Sequence, residues 1–310
     1  MRALITGAAG FVGRHMLREL QARGWDTIGV DLRPSPYQVD TLIQADARAV
    51  FDASLLASER FDLVVHCAYH VGGRAAIDGN PSLLAMNLEL DAQMFNWAVR
   101  SRQRAVLYFS SSAVYPISYQ QGGPQPPLSE YLVSVRDPAQ PDARYGWAKL
   151  TGEHLGAAAT EQGLQVHMVR PFSGYGADQD NTYPFPAILS RVLGGDLSVW
   201  GPPGQTRDWI HINDVVDGAL AVYEADYREP VNLCTGVGTE FGVLATMMAR
   251  EIGLDVGSVD PHGCAERVTY LADRATGVWC RVGDPTRMLG IYRPKIEIGE
   301  GIRRAIGDLH

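Results

Sequence analysis

Short apolar runs alternate with helix-length segments through the first 170 residues of the chain. Residues 2–6 (RALIT) form a strand pattern, and residues 11–23 place Phe11, Leu17 and Leu20 at helical spacing. A second strand is expected over 26–30, ending at Asp31, and another over 61–66 (FDLVVH). Residues 81–100 predict an amphipathic helix, 105–110 (AVLYFS) a strand, 145–161 a helix and 165–169 a strand. This alternation predicts an α/β fold, a Rossmann-type doubly wound parallel sheet with helices on both faces.

Beyond Arg170 the pattern loosens. Gly and Pro become frequent (GYGADQDNTYPFP, WGPPGQTRDW) and the strands shorten, which suits a smaller carboxyl-terminal substrate-binding region over the carboxyl ends of the strands. Residues 116–144 are rich in Pro, Gln and Ser without strong periodicity, and their length favours an active-site loop. No internal repeat is visible.

Composition narrows the possibilities. The chain of 310 residues is 46% hydrophobic and 20% charged, ordinary for a globular protein. A formal charge of −8 without clustered Lys and Arg gives nucleic acid no footprint. No apolar run approaches the roughly 18 residues a membrane span needs, and the first residues run straight into a strand pattern. A cytoplasmic protein without a secretory signal is expected. Cys67, Cys234, Cys264 and Cys280 lack paired spacing and read as buried small hydrophobes rather than disulfides or metal ligands. Of the 27 basic residues 25 are Arg, leaving only Lys149 and Lys295 as lysines. A lysine kept against such a bias is one whose particular chemistry is needed.

Gly7, Gly10 and Gly13, in Thr6-Gly7-Ala8-Ala9-Gly10-Phe11-Val12-Gly13, lie between the first strand and the first helix. Glycine there permits a tight turn and close approach of the backbone to a pyrophosphate, whose charge meets the helix N-terminus. Asp31 closes the second strand, where a carboxylate accepts from the adenosine ribose and repels a 2′-phosphate, favouring NAD over NADP. Asp46, after the third strand, is an expected adenine contact. Arg33 stands close enough to leave the strictness of that preference open.

Tyr145-Gly146-Trp147-Ala148-Lys149 puts a phenol and an ammonium one turn apart on a helix face. A phenol of pKa about 10 is a poor base at neutral pH, and the expectation is that Lys149 draws it down. Ser110, Ser111 and Ser112 end the preceding strand, where a hydroxyl can share the reacting proton with Tyr145.

These residues, with Arg170-Pro171, Tyr175-Gly176 and Arg207-Asp208-Trp209-Ile210-His211-Ile212-Asn213-Asp214-Val215, resemble the extended short-chain dehydrogenases/reductases, more narrowly the nucleotide-sugar epimerases and dehydratases. The resemblance covers essentially the whole chain. It implies an NAD-binding domain over 1–170 that also receives 208–235, and a region over 171–310 that mainly holds a nucleoside-diphosphate sugar. It assigns catalysis to Ser111, Tyr145 and Lys149. Cofactor contacts are implied for Gly7, Gly10, Phe11, Val12, Gly13, Asp31, Asp46, Ala68, Asn87, Ser110, Tyr145, Lys149, Pro171 and Ser173. For the sugar nucleotide it implies Ser111, Ser112, Tyr145, Ser173, Arg207 and Arg274, the arginines on its phosphates. His66 matches a position on the nicotinamide side. A homodimer paired through helices 81–100 and 145–161 is also implied.

Departures from the family pattern restrict the chemistry. Relatives that dehydrate carry an Asp-Glu pair where this chain has Ser112 and Ala113, so elimination lacks its acid and base. Val71-Gly72-Gly73 and the run after Ser111 resemble the GDP-mannose 3,5-epimerase and GDP-fucose synthase branch, yet that branch has Cys at the place of Ala113, and Tyr183 takes the place of a His. The expected activity is NAD-dependent epimerisation at C4 through a transient 4-keto sugar. A 4-ketosugar reductase, a dehydratase and a non-catalytic cofactor-binding regulator are the alternatives. Asp31→Ala is expected to weaken discrimination against NADP; unchanged selectivity in paired cofactor titrations would count against its ribose role.

Overall fold

The computed structural model describes residues 1–34, 41–52, 56, 59–72, 80, 82–123, 125–134, 138–274 and 277–308. Pro81 and Gly73, both part of the sequence expectations above, lie outside the described residues.

Seven strands form the central sheet: β1 (Arg2–Thr6), β2 (Asp26–Asp31), β3 (Thr41–Gln44), β4 (Leu63–His66), β5 (Ala105–Phe109), β6 (Gln165–Pro171) and β10 (Val231–Leu233). Their order is β10-β6-β5-β4-β1-β2-β3, every pairing parallel. All residues of β4 and β5 are buried, which explains their unbroken apolar sequences. Successive side chains leave opposite faces. Ala3 and Ile5 pack with Met16, Leu17 and Leu20 of α1 (Phe11–Ala22), while Leu4 and Val64 pack with Phe51 of α2 (Ala47–Asp52) and Met94 and Trp97 of α3 (Ser82–Arg100). Helix α4 (Ala143–Glu161) lies against α3 on this second face. Strand β10 brings residues late in the chain into the sheet.

The remaining carboxyl-terminal segments build a second core. Helices α5 (Pro184–Leu193), α7 (Phe241–Glu251) and α9 (Ile298–Gly307) enclose Phe185, Ile188, Trp209, Leu244, Met248 and Ile302. Here β9 (Thr206–His211) pairs with β7 (Ser173–Tyr175), β11 (Gly238–Glu240) and β13 (Cys280–Arg281), and β8 (Ser198–Trp200) pairs with β12 (Thr269–Leu271). Helix α6 (Ile212–Glu224) follows β9 and packs back on the first face of the large sheet through Val215, Val216 and Ala219, and α8 (Thr286–Leu289) adds Met288 there.

The RDWIHINDV motif does much structural work. Asp208 is fully buried and accepts from the Thr235 hydroxyl at 2.6 Å and from the amides of Thr235, Gly236 and Gly283. Asp214 accepts from the Tyr292 hydroxyl and the amides of Lys295 and Ile296. Both carboxylates therefore pin loops. The four cysteines are free thiols; Cys234 and Cys264 are buried as expected, whereas Cys67 and Cys280 are only partly covered, a correction to the sequence reading. Among the described residues, no helix is long and apolar enough to cross a membrane.

The largest fully buried side chain belongs to Arg170 on β6, 2% exposed. Its Nε and Nη2 donate to the two oxygens of Glu153 on α4, at 2.8 and 2.6 Å. Removing one partner strands a buried charge. Arg170→Met and Glu153→Leu should each cost about 3–5 kcal/mol in urea unfolding, and the double substitution less than the sum.

Candidate active site

The glycine loop is fixed by close approach. Gly7 has φ +68°, and a Cβ there would lie 2.7 Å from the Ala68 backbone nitrogen. A Cβ on Gly13 would lie 2.0 Å from the Gly7 carbonyl oxygen, so any larger residue forces β1 and α1 apart. Gly10 is the N-cap of α1 and has no side chain with which to cap it; the first helical bond runs from the Arg14 amide to the Gly10 carbonyl. The amides of Phe11 and Val12 thus open the helix as a site for an anion.

Asp31 stands beside this loop with a side chain 8% exposed. One oxygen accepts from the Ala9 amide at 3.0 Å and the other from the Arg33 amide at 2.9 Å. The Arg33 guanidinium is 3.7 Å away and mostly in solvent. Asp46 is engaged by Arg48 at 2.6 Å, a bond that holds its carboxyl below the usual range. Arg48 in turn reaches Glu89 on α3. Ala68 donates its amide to the Thr6 hydroxyl. Asn87 makes two bonds to the His70 backbone, at 2.8 and 3.0 Å, so its amide anchors the segment after β4. His66 is fully buried between Thr6 and Asp91, and burial lowers its pKa.

The serine turn and α4 meet at the end of β5. Ser110 donates to Glu153 at 2.5 Å and so belongs to the Arg170 ion pair. Ser111 accepts from the Ala113 amide, capping a 3₁₀ turn over Ser112–Val114, and lies near enough to Tyr145 to favour its phenolate. Ser112 and Ala113 are buried. Tyr145 is half-buried. Desolvation pushes its phenol up to about 12; Ser111 opposes this, Asp91 adds to it, and Arg281 pulls it down. Lys149 is not among those influences, so the expected depression of the phenol by Lys149 is absent from this arrangement. Its ammonium points instead to the Phe109 carbonyl at 2.7 Å and lies 3.3 Å from the centroid of the Tyr69 ring. Burial brings Lys149 down to about 8, partly offset by Asp91, Cys67 and Glu153.

On the carboxyl-terminal side Ser173 opens β7 and is partly exposed, and Pro171 ends β6. Arg207 donates to the carbonyls of Thr206 and Trp279 and lies over the Phe241 ring. Arg274 is exposed and lies over Trp200. Arg281, unassigned from sequence, donates to Asp142 and to Gln120, each at 2.6 Å, and carries charge toward Tyr145. A cavity of about 340 Å³ opens beside this ion pair, lined by Asp142, Gln121, Gln205 and Trp279 among others.

Residues 3–234 match the model of the NAD dependent epimerase/dehydratase family. The chain belongs to that family. It is 28% identical over 315 residues to GDP-L-fucose synthase of Escherichia coli K12, covering 94% of this chain and 91% of that one. It is 29% identical over 252 residues to GDP-mannose 3,5-epimerase 1 of Oryza sativa subsp. indica, covering 75% of this chain and only 64% of the rice enzyme. Its fold superposes on MoeE5, solved in complex with UDP-glucuronic acid and NAD, with TM-score 0.80 and 25% identity over 99% of this chain and 98% of that one.

NAD is the cofactor of the family, and the residues present fit it: the glycine turn that a Cβ would fill, the side-chain-free N-cap of α1, and a carboxylate at the end of β2. Sequence reasoning missed Tyr69, Asp91 and Arg281. Each reaches the site from a different element, and none carries a spacing signal.

The Lys149 shift has a measurable sign. A folded pKa of about 8 against an unfolded value near 10.5 means the charged form is disfavoured by folding, a penalty that is full below pH 8 and relieved by pH 10.5. The stability advantage of Lys149→Met over wild type should therefore shrink by about 3 kcal/mol as pH rises through that window, measured by urea unfolding.

Proposed function

We propose that this protein is an NAD-dependent nucleotide-sugar epimerase acting at C4 through a transient 4-keto sugar. The observation that carries the reading is the placing of Tyr145 near enough to Ser111 for the serine to favour its phenolate, on the same helix as a buried Lys149, with Ser112 and Ala113 offering no carboxyl pair and no thiol. That set suffices to take a proton from a carbinol oxygen and to give it back.

NAD, when bound, supplies the acceptor for the C4 hydride and returns it. Phe11 and Val12 amides would hold its diphosphate and Asp31 its adenosine ribose, with Lys149 toward the second ribose. Ser111 would hold the C4 oxygen in line with Tyr145, whose phenolate takes the hydroxyl proton as the C–H bond breaks. Turning the keto sugar before the proton and hydride return inverts C4. A phenol pushed up to about 12 is protonated at neutral pH, so substrate and cofactor would have to lower its pKa before it can serve as a base. Arg207 and Arg274 would meet the substrate diphosphate after leaving their present carbonyl and Trp200 contacts. Ser173 would face the same group. A relative named dTDP-4-dehydro-6-deoxy-D-allose reductase, of Streptomyces bikiniensis and 27% identical, keeps net reduction as the second reading. The same reading includes a homodimer paired through α3 and α4, where Trp147 is 40% exposed.

Adding UDP-, GDP- or dTDP-hexoses to NAD-loaded protein should give transient absorbance at 340 nm without net NADH. Stoichiometric NADPH consumption by a 4-ketosugar would replace the epimerase with the reductase. Tyr145→Phe should lower turnover by about 10²–10⁴-fold with NAD affinity nearly unchanged; near-normal rates would refute the base.

A further inference from the structure

Lys149 and Tyr145 are one helical turn apart, yet a third side chain stands between their functional ends. Tyr69, three residues past the end of β4, presents its ring face to the Lys149 ammonium at 3.3 Å and meets the Tyr145 ring edge-on, centroids 5.9 Å apart at 84°. Its hydroxyl donates to Asp91 at 3.3 Å. Asp91, fully buried on α3, also accepts from Tyr108 at 2.7 Å and faces His66 at 3.2 Å, and His66 faces the Thr6 hydroxyl at 2.8 Å. Tyr69 is thus held at its far end by a network that crosses β1, β4, β5 and α3. Gly152 makes room for that network, since a Cβ there would lie 1.9 Å from the Tyr108 hydroxyl.

We propose that Tyr69 is a positioning residue for Lys149: its ring face holds the buried ammonium over the Phe109 carbonyl, and its hydroxyl fixes the ring on Asp91. A buried ammonium that gives one hydrogen bond to a carbonyl keeps two N–H donors to spare, and an aromatic face supplies negative potential without being consumed as a hydrogen-bond acceptor. The other groups facing Lys149 are the Tyr108 ring at 4.9 Å, Asp91, Cys67, His66 and, on its own helix, Glu153. Tyr69 also meets the Tyr145 ring, so it sets where the ammonium lies relative to the phenol. The importance of this contact for turnover rests on the proposed function; the contact itself does not.

Lys149 and Lys295 are the only lysines, so protein labelled with ¹³C-lysine gives two side-chain signals. Lys149→Arg assigns them. In the NAD-free wild type, the Lys149 signal should be shifted upfield by the ring. Tyr69→Phe, which keeps the ring face and loses the Asp91 bond, should keep that shift at reduced size. Tyr69→Leu should lose it and lower the Lys149 titration midpoint by about one pH unit, the size of a desolvated cation–π contact. An unshifted wild-type Lys149 signal, a Tyr69→Leu protein that titrates as wild type, or a Tyr69→Phe protein that behaves as Tyr69→Leu would each overturn the proposal. Should Lys149→Arg fail to fold, Lys295→Arg at an exposed position gives the same assignment. Calorimetry with NAD on the same samples separates the two readings, because failure to bind NAD would sink the proposed function and leave the lysine signals unaffected.

Discussion

The buried pair of Arg170 and Glu153 joins the parts of this molecule that must agree for the site to exist. Arg170 belongs to β6, Glu153 to the helix that carries Tyr145 and Lys149, and Ser110, donating to the same carboxylate, to the end of β5. Arg170 also reaches the Glu130 carbonyl, while the Glu130 side chain accepts from the Asn232 amide in β10. One ion pair therefore sets the height of α4 against the sheet and the place of the serine turn. A charge pair shielded from water tolerates little displacement, because each lost hydrogen bond leaves a desolvated charge. Its contribution is one of geometry more than of net stability.

Around that anchor, the carboxyl-terminal lobe reaches the same place from the other side. Strand β13 sets Arg281 against Asp142, the residue that precedes α4, and Gln120 holds the guanidinium from the loop. Helix α1 is tied to the lobe by Asp178, which binds Arg14 and His15. These contacts join the cofactor end to the lobe at separate points.

The sheet and the glycine turn were legible in the sequence because both are written locally: buried strands as continuous apolar runs, the turn as glycines at fixed spacing. Tyr145 and Lys149 were legible as a pair for the same reason. Their electrostatics were not. Desolvation depends on what the rest of the chain lays over a side chain, and it outweighs every other influence on Tyr145. Tyr69 and Arg281 arrive from positions 76 residues before and 136 residues after Tyr145, with no motif to mark them. The acidic residues of RDWIHINDV are conspicuous in the sequence, and the structure makes them supports: Asp208 and Asp214 spend their oxygens on loop amides and hydroxyls.

Asp31 has a consequence for how such a protein can change over generations. The carboxylate that would choose between cofactors also props the Ala9 amide in the glycine turn. A lineage drifting toward a phosphorylated cofactor cannot simply discard it, since the turn would lose an acceptor at the same step. A compensating change that satisfies Ala9 has to come first, or with it. A cofactor preference set by Asp31 would therefore be historically sticky, guarded by an amide that never needs to touch the phosphate.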